Sequence, residues 1–352
     1  MIIIWKLFAV GNPEKKEVLM RCVGLCISNI YGYRTKKALF LVGKGDSGKS
    51  QIKSLTEKLI GIENISTADI KTINSRFGKM ALYGKRLVGC NDMSYETVED
   101  LDIFKQATGG DRISIEFKND GFVNYLYKGF IWFNCNKLPS FGGDKGKWVY
   151  DRMIPITCDN VVPEEKRDKF LLDKMMAEKN SIIKKALAAL KRLINDDFKF
   201  NITDEMKETL GKYEVENNTL LSFIEECCED AENSKVRTKR STFNECYKRW
   251  CKIYNNNKGI LGNNTIKTTL RDRFGETFKI SRGIYYMDKL VVKDSMQKDL
   301  GIYDGNAREG EIFEDFKEEK VTENKKTQEE IDNNNINKIL NTKDINYFQE
   351  KI

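Results

Sequence analysis

Residues 43–50 read Gly-Lys-Gly-Asp-Ser-Gly-Lys-Ser and follow the unbroken apolar run Ala38-Leu39-Phe40-Leu41-Val42. No other stretch restricts the fold as strongly. A buried strand that runs into G-x-x-x-x-G-K-S and then into an amphipathic helix (Ile52, Leu55, Leu59, Ile60) turns backbone N–H groups inward around phosphates. Gly43, Lys44, Gly45, Asp46, Ser47 and Gly48 would form that cradle, Lys49 would set a cation between the β- and γ-phosphates, and Ser50 would offer a hydroxyl to Mg2+. The positive end of the following helix dipole faces the same anions. The expected ligand is a nucleoside triphosphate with Mg2+.

Composition narrows the chemistry further. Among 352 residues there is no histidine, which removes a histidine general base, a Ser-His-Asp triad and histidine-bound metals. Any hydrolysis must run on carboxylates, Lys, Arg and a bound metal. The nine cysteines form no C-x-x-C pair, so neither a disulfide framework nor a zinc ribbon is indicated, and a reducing, cytoplasmic setting is expected. Net charge is +7, yet from residue 294 onward 15 acidic side chains stand against 9 basic ones, an excess of six that leaves +13 on the preceding part. A basic body with an acidic tail fits a polyanionic partner. The apolar start, Met1 to Val10, is broken by Lys6 and is too short to span a bilayer; it reads as a buried strand or helix start, and no membrane partner is expected.

Along the chain, Val18, Leu19, Cys22, Leu25, Cys26 and Ile30 recur at helical spacing over 14–31. After the cradle come a β-like stretch at 64–68, a helix near 74–82, and Arg86-Leu87-Val88-Gly89-Cys90, which delivers Asn91-Asp92 at the carboxyl end of a buried strand. Gly109-Gly110-Asp111 precedes an alternating strand, a tight turn at Asn119-Asp120-Gly121 and a returning strand, predicting a hairpin over 112–127 with Lys118 and Lys128 near its ends. Gly129 to Phe133 is another buried strand, ending in Asn134-Cys135-Asn136-Lys137-Leu138-Pro139, and Trp148 to Ile156 supplies a last core strand with Arg152 just before it. A charged helical region over 164–195 and a connector over 196–218 follow.

Beyond the connector, three helical stripes (Leu220 to Cys227, Phe243 to Tyr254, Ile266 to Phe274) precede a hairpin over 278–292. That is winged-helix order, in which the third helix would carry Lys267, Arg271 and Arg273 into a DNA groove. The tail, 294–352, is rich in Glu, Lys and Asn and reads as disordered.

Taken together, the cradle, the strand ending in Asp92, the Gly-Gly-Asp hairpin block, Asn136-x-x-Pro139 and Trp148-x-x-x-Arg152-x-x-x-Ile156 resemble the A, B, B′ and C motifs and arginine finger of superfamily 3 helicases. The phage, plasmid and poxvirus type of primase-helicase is the branch most resembled, over residues 38–156. The resemblance implies an α/β fold in which a P-loop AAA+ NTPase domain is followed by a small winged-helix domain and the disordered tail. The boundaries would be an N-terminal helical segment at 1–36, the AAA+ domain at 37–212, the winged helix at 213–293 and the tail at 294–352.

The implied activity is that of a replicative DNA helicase of a mobile element, using ATP and Mg2+ and translocating on single-stranded DNA as a ring, commonly a hexamer. On this resemblance Lys49 and Ser50 would bind phosphates and metal, and Asp92 would be the metal-sphere or water-activating carboxylate. Asn136 would sense the γ-phosphate, and Arg152 would reach the neighbouring subunit's site. Lys118 would face DNA in the channel. Many members carry paired acids where this chain has Asn91-Asp92. Implied partners are single-stranded and forked DNA, further copies of the chain, and a primase or another replication protein. The alternative is an AAA+ initiator or loader that grips duplex DNA without unwinding it; the Gly-Gly-Asp hairpin favours the helicase.

Overall fold

The structure is a computed structural model in which residues 12–93, 97–117, 121–141, 146–231, 235–254, 259–276, 278–303 and 305–308 are described. Two units divide them: 12–222 with 259–261, and 223–254 with 262–308. The first opens with helix α1 (Pro13–Ile27), whose N-cap Asn12 accepts from the N–H groups of Glu14 and Lys15. Pro13 fits the first helical position, where its missing N–H costs nothing.

Strand β1 (Ala38–Val42) runs through the glycine-rich loop into helix α2 (Lys49–Ile60). Next come β2 (Ile65–Thr67), helix α3 (Ile70–Asn74), β3 (Leu87–Gly89), β4 (Thr97–Val98) and helix α4 (Asp102–Gly109). After them lie β5 (Arg112–Glu116), β6 (Phe122–Leu126), β7 (Phe130–Cys135), β8 (Ser140–Phe141), the helical turn α5 (Lys147–Tyr150) and β9 (Met153–Thr157). Helices α6 (Leu171–Ala177), α7 (Lys179–Asn195), α8 (Asp204–Asn217) and α9 (Thr219–Cys227) follow.

Five strands make one parallel sheet in the order β2-β3-β7-β1-β9. The interior strand β1 pairs Val42 with Cys135 on one side and with Thr157 on the other. Its side chains alternate between two cores: Leu39 and Leu41 pack with residues of α1, α2, α6 and α7, while Ala38 and Phe40 pack with residues of α3, α4 and β5. A strand covered on both faces must be apolar at every position, which is why 38–42 reads as a continuous run. The expected hairpin is present, with β5 and β6 paired antiparallel from Arg112↔Leu126 to Glu116↔Phe122.

In the second unit, β10 (Cys228–Asp230) and β11 (Val236–Thr238) precede helices α10 (Arg240–Tyr254) and α11 (Asn263–Phe274) and strands β12 (Phe278–Ser281), β13 (Ile284–Met287) and β14 (Leu290–Val292). Phe223 centres its core, in edge-on contact with Phe243, Tyr247 and Trp250. β12 and β13 form a hairpin whose two turn residues, Arg282 and Gly283, have φ of 50° and 76°, the geometry that matches strand twist in a two-residue connection.

Three boundaries differ from expectation. The helix expected near 74–82 is split into α3 and a separate 3-10 turn at Gly78–Leu82, because the Ser75 hydroxyl bonds back to Thr72 O and accepts from the Gly78 N–H, ending the first helix. The expected connector contains α8, whose buried Met206 and Tyr213 are too few to give a helical stripe in the sequence; Tyr213 is anchored against Phe141 and Tyr150. Nor is all of 294–308 a tail: it contains helix α12 (Asp294–Asp299) and strand β15 (Asn306–Arg308), which pairs with β11. Asn306 donates to Val292 O and Asp294 Oδ1, supplying polar bonds that compensate for a low apolar content. The expectations for Met1 to Val10, for the tail beyond 308 and for Lys118, Asn119 and Asp120 lie outside the described residues. Among the described residues no helix is long and apolar enough to cross a membrane.

Candidate functional site

The loop after β1 depends on backbone shapes that side chains resist. Gly43 passes so near Cys158 that a Cβ would lie 2.3 Å from the Cys158 carbonyl oxygen, and Gly48 takes φ 86° where α2 begins. Helix α2 starts without a side-chain cap, so its first N–H groups open toward the loop. Lys49 is only 6% exposed. Its Nζ donates to Gly43 O and Lys44 O, both at 2.7 Å, and to Ser47 Oγ at 3.2 Å. These acceptors are neutral, so they fix the ammonium inside the loop and leave its charge uncompensated, which favours an anion there. Ser50 is exposed in the first turn of α2.

Asn91 and Asp92 are exposed just past β3. With β7 between β3 and β1, that strand end lies about 10 Å from the end of β1. Backbone bonds knit the strand ends together: Gly43 N donates to Cys135 O at 3.2 Å, Asn134 N to Cys90 O at 3.0 Å, and Met93 N to Asn134 O at 2.9 Å. The donor chemistry of Ser50 and Asp92, one hydroxyl and one carboxylate, suits a hard cation such as Mg2+ that takes its remaining ligands from water and phosphate. Among the described residues no group of three or more His, Cys, Asp or Glu could hold a metal.

The sequence offers two asparagines at the end of this strand, Asn134 and Asn136. Asn134 is fully buried within β7; its Oδ1 accepts from Trp132 Nε1 at 2.9 Å and its Nδ2 donates to Asn91 Oδ1 at 3.1 Å. It therefore fixes the residue that precedes Asp92. Asn136, the asparagine singled out from the sequence, is exposed immediately beyond the strand. The usable signal was a lone amide in a strand apolar on both faces, since a buried amide must find partners. At the carboxyl ends of β3, β7 and β9, burial pushes the thiols of Cys90, Cys135 and Cys158 up to about 12, so they stay protonated near neutrality and offer no thiolate.

Arg152 lies at the other edge. Ala38, the first residue of β1, pairs with Met153, and its N–H donates to Arg152 O at 2.7 Å. The length of β1, roughly 15 Å, therefore separates that end of the sheet from the glycine-rich loop. The guanidinium donates from Nε to Thr108 Oγ1 at 3.1 Å and from Nη1 to Trp148 O at 3.0 Å, and lies 5.1 Å above the Trp148 ring. Lys105 Nζ is 5.0 Å from the same ring. Burial lowers the guanidinium pKa from its ordinary value, while Asp111 and Asp151 pull it back up. The fold thus gathers Lys49, Ser50, Asp92 and Asn136 along the carboxyl edge and leaves Arg152 away from them.

Of the expected DNA contacts, Lys128 is exposed at the base of the β5–β6 hairpin with its ammonium 5.1 Å from the Tyr31 ring. Lys267, Arg271 and Arg273 are exposed on α11, whose Ile266 and Leu270 face inward. Arg271 Nε pairs with Asp272 Oδ1 at 3.2 Å.

A family described as of unknown function, DUF5906, matches residues 41–152, the span from the end of β1 to Arg152. Among solved structures, the A form apo structure of the NrS-1 C-terminal region aligns with 83% of this chain and 76% of that one, at 15% identity and a TM-score of 0.48. The A form apo structure of NrS-1 residues 305–718 aligns over 83% and 74%, at 15% identity and a TM-score of 0.44. A further apo structure of NrS-1 residues 305–718 covers the same shares, at 15% identity and a TM-score of 0.42.

Proposed function

We propose that the chain is an ATP- and Mg2+-dependent DNA helicase of the superfamily 3 type, working as a ring of copies, with a P-loop AAA+ domain followed by a winged helix. The observation that carries this reading is Lys49, buried within a glycine-rich loop at the carboxyl edge of a parallel sheet. In open parallel sheets ligands bind outside the carboxyl ends of the strands, and β1, lying between β7 and β9, brings the loop to that edge; its successor β2 stands at one side of the sheet and the last strand, β9, at the other.

In this reading Lys49 and the loop N–H groups hold the phosphates, and Ser50 and Asp92 hold Mg2+, which would supply charge neutralisation at the transferring phosphoryl group. Asn134 aligns the Asp92 segment through Asn91, and Asn136 stands at the strand tip facing solvent, where it can meet the γ-phosphate. Arg152, too far from its own loop, serves the loop of the next copy. The β5–β6 hairpin with Lys118 meets single-stranded DNA, and the exposed cations of α11 meet duplex DNA.

A forked-DNA strand-separation assay with purified full-length chain tests the proposal. Separation that requires both ATP and Mg2+ is the expected result. ATP hydrolysis and duplex binding without separation would instead favour an initiator or loader, and absence of both hydrolysis and separation would sink the enzymatic reading.

A further inference from the structure

The glycine-rich loop contains a carboxylate. Asp46 lies midway between Gly43 and Lys49, with φ of 59°, a conformation that residues other than glycine, asparagine and aspartate rarely take. A negative charge in a loop that would hold a triphosphate opposes that ligand. The segment after β9 returns to this residue. Val162 N donates to Asp46 O at 3.0 Å, Arg167 Nε donates to Val162 O at 3.2 Å, and Arg167 Nη2 lies 2.9 Å from Asp46 Oδ2. One guanidinium thus fastens its own segment and places its charge on the loop's carboxylate. The two side chains remain 44% and 54% exposed, so the pair contributes little to folding. Its larger consequence is for the electrostatics of the loop.

We propose that Arg167 is a positioning residue of the nucleotide site: it neutralises Asp46 and holds that strained residue in place, so that the loop presents a net positive face to the triphosphate. The inference rests on the nucleotide reading and deepens it. Lys44 and Lys49 are the loop's own cations; without Arg167, Asp46 would cancel one of them. The segment's other charged groups, Asp159, Glu164, Glu165, Lys166, Asp168 and Lys169, are exposed or half-buried, and Asp168 is paired with Lys174.

Equilibrium binding of ATP to the full chain, with steady-state hydrolysis beside it, provides the test. Arg167→Ala should bind ATP about tenfold more weakly, with the loss falling on KM rather than kcat, because an uncompensated carboxylate repels several phosphate charges at once. Arg167→Lys should recover most of the affinity. The double variant Arg167→Ala, Asp46→Asn should also recover it, because the charge that needed neutralising is gone. Unchanged affinity in Arg167→Ala overturns the proposal, and so does a double variant as weak as Arg167→Ala, which would make Arg167 a direct phosphate ligand. Failure of the parent chain to bind ATP overturns the nucleotide reading itself. The positioning role then rests on hydrogen exchange at the Val162 amide, which Arg167→Ala should accelerate and which an idle surface pair would leave unchanged.

Discussion

The two edges of one parallel sheet are built on different principles. At the carboxyl edge the backbone leads: glycine conformations, an uncapped helix start and strand-end hydrogen bonds shape a loop around Lys49, and a buried amide, Asn134, aligns the neighbouring segment. At the amino edge side chains lead, and an indole, a hydroxyl and a carbonyl hold the guanidinium of Arg152. Because all five strands point the same way, a residue just before a strand and a residue just after one are separated by the length of the sheet. In the proposed mechanism each chain therefore carries two half-sites that face away from each other, and a second copy is needed to join them.

The comparison can be broken first at the carboxyl edge. Lys49→Ala should reduce ATP hydrolysis to background while leaving the far-UV circular dichroism spectrum unchanged, because the ammonium supports the loop's charge and not the sheet. Turnover near the parent rate would remove the loop from the chemistry.

The amino edge should respond almost as strongly and in a different manner. Arg152→Ala is expected to lose on the order of 10³-fold in kcat, the scale of an arginine supplied to a neighbour's transferring phosphoryl group. Mixing it with Lys49→Ala protein should restore part of the activity, since some mixed interfaces then pair an intact loop with an intact arginine. If light scattering shows co-assembly but hydrolysis does not return, the arginine is a structural residue of its own chain.

A smaller effect separates alignment from binding within the carboxyl edge. Asn134→Leu keeps the branching and heavy-atom count of the side chain but leaves the buried Trp132 Nε1 without a partner and cuts the tie to Asn91, at a cost of about 1–3 kcal/mol in stability. With the phosphate loop intact, kcat should fall about tenfold at nearly unchanged ATP affinity, a loss of the size produced by displacing a catalytic group slightly. Chemical denaturation together with steady-state kinetics reads both. A stability loss without a kcat loss would confine Asn134 to packing.

Much of the carboxyl edge is legible in the amino-acid sequence, because its signals are local. An unbroken apolar run followed at once by the glycine motif and an amphipathic stretch leaves little freedom for 38–60, and the two-residue alternation of 112–116 with the turn before Gly121 leaves little for the hairpin. The features that periodicity misses are non-local. Asn134 reads as one polar residue in a strand until Asn91 is placed beside it, and Tyr213 gives no helical stripe until Phe141 and Tyr150 surround it. Asn306 belongs to a solvated tail until β11 offers it an edge.

By itself, then, the sequence determined the strand, loop and helix around Lys49, the exclusion of histidine chemistry and the basic character of the body. Only the tertiary structure decided that Asp46 is matched by Arg167, that Asn134 bonds to Asn91, the residue before Asp92, and that Arg152 lies at the far edge from Lys49. The physical reason is that residue periodicity records which side chains must leave water, whereas the order of strands in a sheet is set by crossovers that pack distant segments together, and no spacing within a segment encodes its neighbour.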